Sequence, residues 1–474
     1  MALLIGACAR GQVLRNGDFD EGCDTCGTGC AGWSISWAGP GVSCTRDRSA
    51  LLISCKDSVD AVGFVEQSIT IPEVKEPLVA GVTAMVSLSQ LTGKGASLNI
   101  ACYDADGGFL TNKDFGIFPF MWGQGTRPPE PWELKLVLPL GTTRVNVGAI
   151  VNGRGDARFD DFALQLSPIA GRTPDAYAKA YVNAACDTIK HHAVYRDSVD
   201  IDALRPSAWR IAGAENDPND HHLAVEYLLH ALGDHHSFLM SREHYDMWKR
   251  EPGAGSVAFP THRVIQGCGY VSVPGFFSGD SITMIAFADS LQHGLEKMAA
   301  QGIEGWIVDL RKNTGGNMAP MVCGLGPLLD PGVLGTLTDT HGTVQRWSYH
   351  DGDYGWDGVT ALRLTKPVHL ARKLPVAVLT SSQTGSSGEC VTISFIGNSR
   401  TRSFGQATLG LVTGNGEFEL PDGARMFMAS TIMGDRNGTL FHGPIAPNEP
   451  VEQPADWSYD ASLDAAAKWI RAQD

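Results

Sequence analysis

Leu374-Pro-Val-Ala-Val-Leu-Thr380, Ser381-Ser-Gln-Thr-Gly-Ser-Ser-Gly-Glu389 and Cys390-Val-Thr-Ile-Ser-Phe-Ile-Gly397 follow one another without a break. The first run is apolar and β-branched and reads as a buried strand. The last reads as a buried helix, and the hydroxyl-rich piece between them is a tight turn. A serine on a strand-to-helix turn projects its hydroxyl into a cleft. The first N–H groups of the new helix then face any negative charge that develops there. Ser, Thr and Gly are also ordinary loop and N-cap residues, so the turn gains meaning only from other parts of the chain.

The chain has 474 residues, too many for one ordinary core, and predicts two or three domains. No run approaches the roughly 20 apolar residues of a membrane span. A net charge of -15 argues against nucleic acid, which is bound through clustered Lys and Arg. Leu3-Leu-Ile-Gly-Ala-Cys8 reads either as the end of a lipoprotein signal with Cys8 lipidated, or as a plain N-terminal strand. Cys23, Cys26, Cys30, Cys44, Cys55 and Cys102 crowd the first quarter, whereas Cys186, Cys268, Cys323 and Cys390 sit among apolar residues as buried thiols. The early group fits one or two disulfides, or a metal knuckle on Cys23, Cys26 and Cys30. No second Cys-x-x-Cys completes a knuckle, which favours disulfides and an extracytoplasmic (periplasmic, secreted or lipid-anchored) protein.

Residues 11–167 alternate short apolar runs with Gly, Pro and Asp, for example Val65-Glu-Gln-Ser-Ile-Thr-Ile71 and Ala80-Gly-Val-Thr-Ala-Met-Val-Ser-Leu88. That spacing predicts an all-β sandwich. Asn16-Gly-Asp-Phe-Asp20, Gly32-Trp33 and Ala157-Arg-Phe-Asp-Asp-Phe-Ala-Leu164 resemble the first and last strands of jelly-roll carbohydrate-binding modules. The resemblance implies a glycan or cell-surface ligand. It also implies a structural calcium at Asp160 and Asp161, where the residue-level alternative is a simple strand cap. Pro168–Pro174 reads as a linker. Residues 175–250 predict helices, including Ala176 to Ile189 and His222 to Leu232 with Gly233 as the stop. Residues 265–474 alternate strands and helices and predict an α/β core with a mixed sheet.

Two further segments accompany the serine turn: Ala231-Leu-Gly-Asp-His-His-Ser-Phe238 and Asp309-Leu-Arg-Lys-Asn-Thr-Gly-Gly-Asn317. In order and type, the three resemble the tail-specific, or C-terminal-processing, serine protease family over residues 175–470. Gly405-Gln-Ala-Thr-Leu-Gly410, Leu420-Pro-Asp-Gly423 and Gly443-Pro-Ile-Ala-Pro-Asn448 fit the downstream half. The resemblance implies a crotonase-like, ClpP-like core and serine-type endopeptidase activity needing no catalytic cofactor. It sets the nucleophile three positions before Glu389, at Ser386. One branch of the family places a lysine base where this chain has Leu411. The tricorn-core and nisin-resistance branch uses a histidine, which matches His236. The resemblance further implies Gly316 and the Ser387 N–H as oxyanion donors, and Glu449 as an acid orienting the base. Asp309 and Arg311 would brace the loop.

The chemistry needs these residue types. A serine hydroxyl must lose its proton as it attacks, and an imidazole can take it near neutral pH. Gly315 or Gly316 can bring its backbone N–H to the oxyanion without a side-chain clash. Other readings are a zinc site from His221, His222, His235 and His236, whose spacing is wrong for one, a non-catalytic retinoid-binding relative of the same fold, and another acyl hydrolase. Only about 30 residues separate Phe238 from Gly269, too few for the peptide-binding PDZ domain of many family members.

Overall fold

In the computed structural model the described residues are 14–23, 27–56, 61–116, 121–213, 218–250, 257–454 and 459–473. Cys8 and Cys26 lie outside them. The chain divides into two compact units, residues 1–183 with 202–228, and residues 184–201 with 229–474. The stretch 175–250, read from sequence as one helical subdomain, is thus shared between the two. Among the described residues no helix is long and apolar enough to cross a membrane.

The first unit is an antiparallel sheet curled around one core. Its strands are β1 (Ser34–Ala38), β2 (Val42–Asp47), β3 (Ala50–Cys55), β4 (Val62–Thr70), β5 (Leu78–Tyr103), β6 (Phe109–Lys113), β7 (Gly123–Leu138) and β8 (Arg144–Pro168). The path runs β1-β4-β8-β3-β2, and β5 pairs with β6, β7 and β8. β5 and β8 are long because repeated register shifts bend them as they pair, near Val86/Leu88, Leu91/Ala96 and Ser89/Thr92. Inward residues alternate along β4, where Val65, Gln67 and Ile69 are buried. The end motifs meet: Trp33 Nε1 donates to Asn16 O at 3.0 Å and Phe162 N to Gly17 O at 2.7 Å. The Trp33 ring lies 4.9 Å from Phe162 and 5.0 Å from Phe19, centroid to centroid. Cys23 is disulfide-bonded. Cys30, Cys44, Cys55 and Cys102 are free and buried, so of the early cysteines within the described residues only Cys23 is in a disulfide. Burial in apolar surroundings raises each of these thiols, Cys44 and Cys55 to about 11 and Cys102 to about 12.

Helices α1 (Ala176–His192), α2 (Ile201–Ala212) and α3 (Pro218–Ala231) follow. Gly233 takes the left-handed conformation after α3, at φ 69°, as its place at a helix stop predicts.

The second unit contains β9 (Phe238–Met240), α4 (Arg242–Arg250), β10 (Thr261–Ile265), β11 (Cys268–Ser272), α5 (Ser281–Ala299), β12 (Gly305–Asp309), α6 (Met318–Leu325), β13 (Gly332–Asp339), β14 (Val344–His350), β15 (Asp353–Trp356), β16 (Val359–Arg363), β17 (Val376–Thr380), α7 (Ser387–Phe395), β18 (Thr401–Gly405), β19 (Thr413–Glu419), β20 (Arg425–Asp435), β21 (Glu449–Pro450) and α8 (Ala461–Arg471). Sequence predicts a single mixed sheet, but the structure has two sheets. One has the order β10-β11-β12-β17-β18-β21 and is parallel except for β10. The other is antiparallel, β16-β15-β14-β13-β20-β19, with β9 added on β20. The second sheet is not among the expectations drawn from the sequence, which name one mixed sheet for residues 265–474.

β12 explains why the first sheet reads as a continuous apolar run. Trp306 and Val308 face the core under α5, α6 and α7, while Ile307 faces the core under α8 with Leu463, Ala466 and Ile470. With both faces covered, Gly305 to Val308 are all apolar, and the one polar residue, Asp309, stands at the C-terminal end of the strand, paired with Tyr270 and Arg311. β12 and β17 are parallel neighbours in register, Asp309 opposite Leu379. Their C-terminal ends therefore deliver two loops side by side, at the edge where α/β sheets hold their sites.

Candidate active site

The serine turn leaves β17 and the glycine loop leaves β12. Ser381 Oγ donates to Arg311 O at 2.6 Å, Thr384 Oγ1 to Leu310 O at 2.8 Å and Gly385 N to Asn313 O at 3.0 Å. The hydroxyls that look like generic loop residues in the sequence thus tie one loop to the other. Ser386 has φ 52° and ψ −119°, a strained conformation for a residue with a Cβ. It is held by Glu389, whose Oε2 accepts the Ser386 N–H at 2.8 Å across the first turn of α7. Glu389 Oε1 accepts Thr408 Oγ1 at 2.6 Å and Gly410 N at 2.8 Å. Burial raises the Glu389 carboxyl, and these donors oppose the shift. Leu411, where a lysine base would stand, contributes only a backbone N–H to the same carboxylate.

The glycine loop is braced from below. Tyr270 Oη donates to Asp309 Oδ2 at 2.7 Å. Arg311 grips Asp309 through Nε and Nη2, and Asp460 through Nη1 and Nη2 at 2.8 Å each. These two carboxylates hold the Arg311 guanidinium firmly protonated against the cost of burial. Asn313 is fully buried, and its Oδ1 accepts the Gly315 N–H at 3.0 Å. Gly315 O accepts Phe276 N at 3.0 Å. The C=O and N–H of a trans peptide point opposite ways, so the Gly316 N–H faces away from Phe276. A Cβ at Gly315 would lie 2.8 Å from Ser386 Cβ and 3.2 Å from Ser387 N, so the serine turn packs directly on this loop. A Cβ at Gly316, φ 102°, would strike Phe276 O at 2.1 Å. Among the described residues no acceptor engages the N–H of Gly316 or of Ser387, the first residue of α7. The Ser387 hydroxyl donates to Gly316 O.

His236 arrives from the other sheet, just ahead of β9. Asp234 accepts His236 N at 2.9 Å and Ser237 N at 2.8 Å, which fixes the local turn. His235 takes φ 52° and is exposed, so the imidazole that enters the site is that of His236. Its Nε2 lies 2.9 Å from Ser386 Oγ, and its Nδ1 lies 2.7 Å from Thr413 Oγ1. For Nε2 to accept the serine proton, Nδ1 must carry the ring hydrogen and donate to Thr413. Asn415 Nδ2 donates to His236 O at 2.9 Å. Burial lowers the imidazole from 6.5 to about 4, only partly offset by the Asp234 charge.

Thr413 corrects the expectation for Glu449. The Glu449 carboxylate pairs with Arg402 at 2.6 Å, on β21 beside Phe404 of β18. The group that meets His236 Nδ1 is the Thr413 hydroxyl, at the start of β19. A threonine before a Gly-Asn-Gly run carries no sequence signal beyond strand propensity, and Asn415 is equally anonymous. Asp160 Oδ1 accepts the Asp161 N–H at 2.8 Å. Burial raises the Asp160 carboxyl, as do the charges of Asp161, Asp20 and Asp18. Carboxylate oxygens suit calcium. Among the described residues, however, three metal-capable ligand atoms converge elsewhere, at His191, His192 and His341.

The family model of peptidase family S41 matches residues 267–451. The nisin-resistance protein of Lactococcus lactis subsp. lactis is 27% identical over 299 residues, 62% of this chain and 87% of that protein. A carboxyl-terminal-processing protease of Synechocystis sp. is 27% identical over 211 residues, 42% of this chain and 44% of that protein. A solved lipoprotein from Streptococcus agalactiae shares the fold, with TM-score 0.52 and 24% identity over 64% of this chain and 98% of that one.

Proposed function

We propose that this chain, whose residues 267–451 match the model of peptidase family S41, is a serine-type peptidase in which Ser386 and His236 cleave peptide bonds within a peptide or protein substrate. The observation that carries the proposal is the 2.9 Å separation of Ser386 Oγ and His236 Nε2. In the first step the Ser386 oxygen attacks the peptide carbonyl carbon while its proton passes to Nε2. The carbonyl oxygen becomes an oxyanion and accepts from the Gly316 and Ser387 N–H groups. Collapse breaks the C–N bond, and Nε2 returns the proton to the leaving amine. Water, deprotonated by the same nitrogen, then hydrolyses the acyl-Ser386 ester. Thr413 keeps Nδ1 protonated and the ring in plane, a positioning role.

Labelling with a fluorophosphonate tests this assignment. The wild type and Ser387→Ala should label at Ser386, and Ser386→Ala should not; undiminished labelling of Ser386→Ala removes the nucleophile from the proposal. The same proposal places the protein outside the cytoplasm, consistent with the Cys23 disulfide. It gives the first unit a targeting role on a glycan or surface, with a structural calcium at Asp160 and Asp161. A drop in the melting temperature of the first unit on chelation, restored by calcium, is the expected result. A non-catalytic, retinoid-binding-like role and hydrolysis of another acyl bond are the competing readings. An intact proton path from Ser386 to His236 supports hydrolysis, since a binder needs no such path.

A further inference from the structure

We infer that His191, His192 and His341 form a binding site for a borderline divalent transition-metal cation such as zinc, separate from the Ser386–His236 pair. One nitrogen of each ring lies within 4.8 Å of one from each of the others. The ring centroids are 4.5 Å apart for His191 and His192, 4.8 Å for His191 and His341, and 6.5 Å for His192 and His341. Three imidazoles around a tetrahedral ion place their nitrogens a little over 3 Å apart, given metal–nitrogen bonds of about 2.0–2.1 Å. Small side-chain rotations close that difference, and two of the three rings are exposed and free to make them. Among the described residues no hydrogen bond occupies a nitrogen of any of the three rings.

The supports for these rings are firm. His191 and His192 are the last two residues of α1. The chain is tied down immediately afterwards, with Ala193 buried and Val194 N donating to Ala429 O of β20 at 2.8 Å. His341 sits in the turn between β13 and β14. Asp339 Oδ1 shapes that turn by accepting the N–H groups of His341 and Thr343 at 2.8 Å each. The Phe418 ring of β19 stands 4.7 Å from that of His192 and walls one side of the cluster. The His191 and His341 rings are exposed, so water would complete the coordination. An all-imidazole set selects zinc, nickel, copper or cobalt over magnesium and calcium, which prefer oxygen. The spacing of the ligands explains why sequence reading passed them by. Adjacent histidines on a helix do not match a recognised metal pattern, and the third ligand is far along the chain.

The test uses untagged full-length protein stripped with chelator. Cobalt(II) is titrated by visible absorption and zinc by equilibrium dialysis. The expected result is one cobalt per chain with the intense bands of four-coordinate cobalt, together with a melting temperature raised by zinc. His341→Gln and the double variant His191→Gln/His192→Gln should each weaken binding at least tenfold and abolish the thermal shift. His293→Gln, an exposed histidine of α5, should leave both unchanged. Zinc should also protect the three histidines of the unaltered protein from acylation by diethyl pyrocarbonate, read by mass spectrometry. Binding of equal strength and stoichiometry in His341→Gln overturns the inference, as does equal acylation of all three rings with and without zinc.

Discussion

Ser386 and His236 meet across 2.9 Å, but they are held by different means. The serine side is braced by buried charge: Glu389 on the Ser386 amide, and Arg311 between Asp309 and Asp460 beneath the glycine loop. The histidine side is braced by neutral groups, namely the Thr413 hydroxyl and the Asn415 amide, with the Asp234 turn behind it. The serine geometry is strained and must be enforced by many partners. The imidazole geometry is relaxed and needs only one hydrogen bond to set its tautomer. Loss of a serine-side brace should therefore disturb fold and rate together, whereas loss of a histidine-side brace should change rate alone.

The largest expected effect is at the reacting atoms. Ser386→Ala or His236→Ala should lower kcat by about 10⁴-fold or more with the melting temperature nearly unchanged, checked by peptide hydrolysis and calorimetry. Next is the oxyanion loop. In Gly316→Ala the added methyl collides with Phe276 O, and the N–H must move. We expect kcat to fall about 10²–10³-fold, or about 2.7–4 kcal/mol of transition-state stabilisation, with little change in KM.

The contrast is sharpest between Arg311→Ala and Thr413→Val. The first leaves buried Asp309 without its cation and should cost about 3–5 kcal/mol in denaturant unfolding of the second unit. The second should leave unfolding nearly unchanged while kcat falls about tenfold or more, and Thr413→Ser should restore it. Equal stability losses in the two variants would erase the distinction between the sides. Glu449→Ala should be nearly silent in kcat, because its partner is Arg402.

The pH profile gives the smallest but most specific signal. The base must be neutral, so kcat/KM falls as pH drops through the pKa of His236. Burial sets that pKa at about 4, below the ordinary 6.5, and hydrolysis should stay level from pH 7 down to about 5. The same sign applies to stability: the buried neutral ring favours the folded state above pH 6.5, and this contribution is lost as pH falls from 6.5 towards 4. Thr413→Asp puts a carboxylate on Nδ1 and should move the acid limb up towards neutrality.

The serine side was also the more legible in sequence. Its strands are buried on both faces, so Val376–Thr380 and Gly305–Asp309 stand out as apolar runs ending in glycine-rich or hydroxyl-rich loops. Ser386, Gly316 and Ser387 could be named from that pattern with the resemblance, and the structure gathers them with His236. The histidine side depends on the second, antiparallel sheet, which the sequence reading does not separate from the first. Thr413, at the start of β19, therefore went unseen. Glu449 is a candidate in the sequence because the resembled branch places an acid in its C-terminal part, and sequence order cannot show that it lies beside Arg402. In the first unit the end motifs around Trp33 and Phe162 were readable because large aromatics mark a core. The bends of β5 and β8 were not, since register shifts leave no compositional trace.

β9 is only three residues long, and it follows His236 directly. It is zipped to β20 from Phe238 opposite Phe427 to Met240 opposite Arg425, with the two phenyl rings stacked at 4.8 Å. So brief a pairing opens at far lower free energy than the sheet it joins. On the proposed mechanism, opening of this pairing would draw the His236 imidazole away from Ser386, so the closed fraction of β9 would scale the rate without global unfolding.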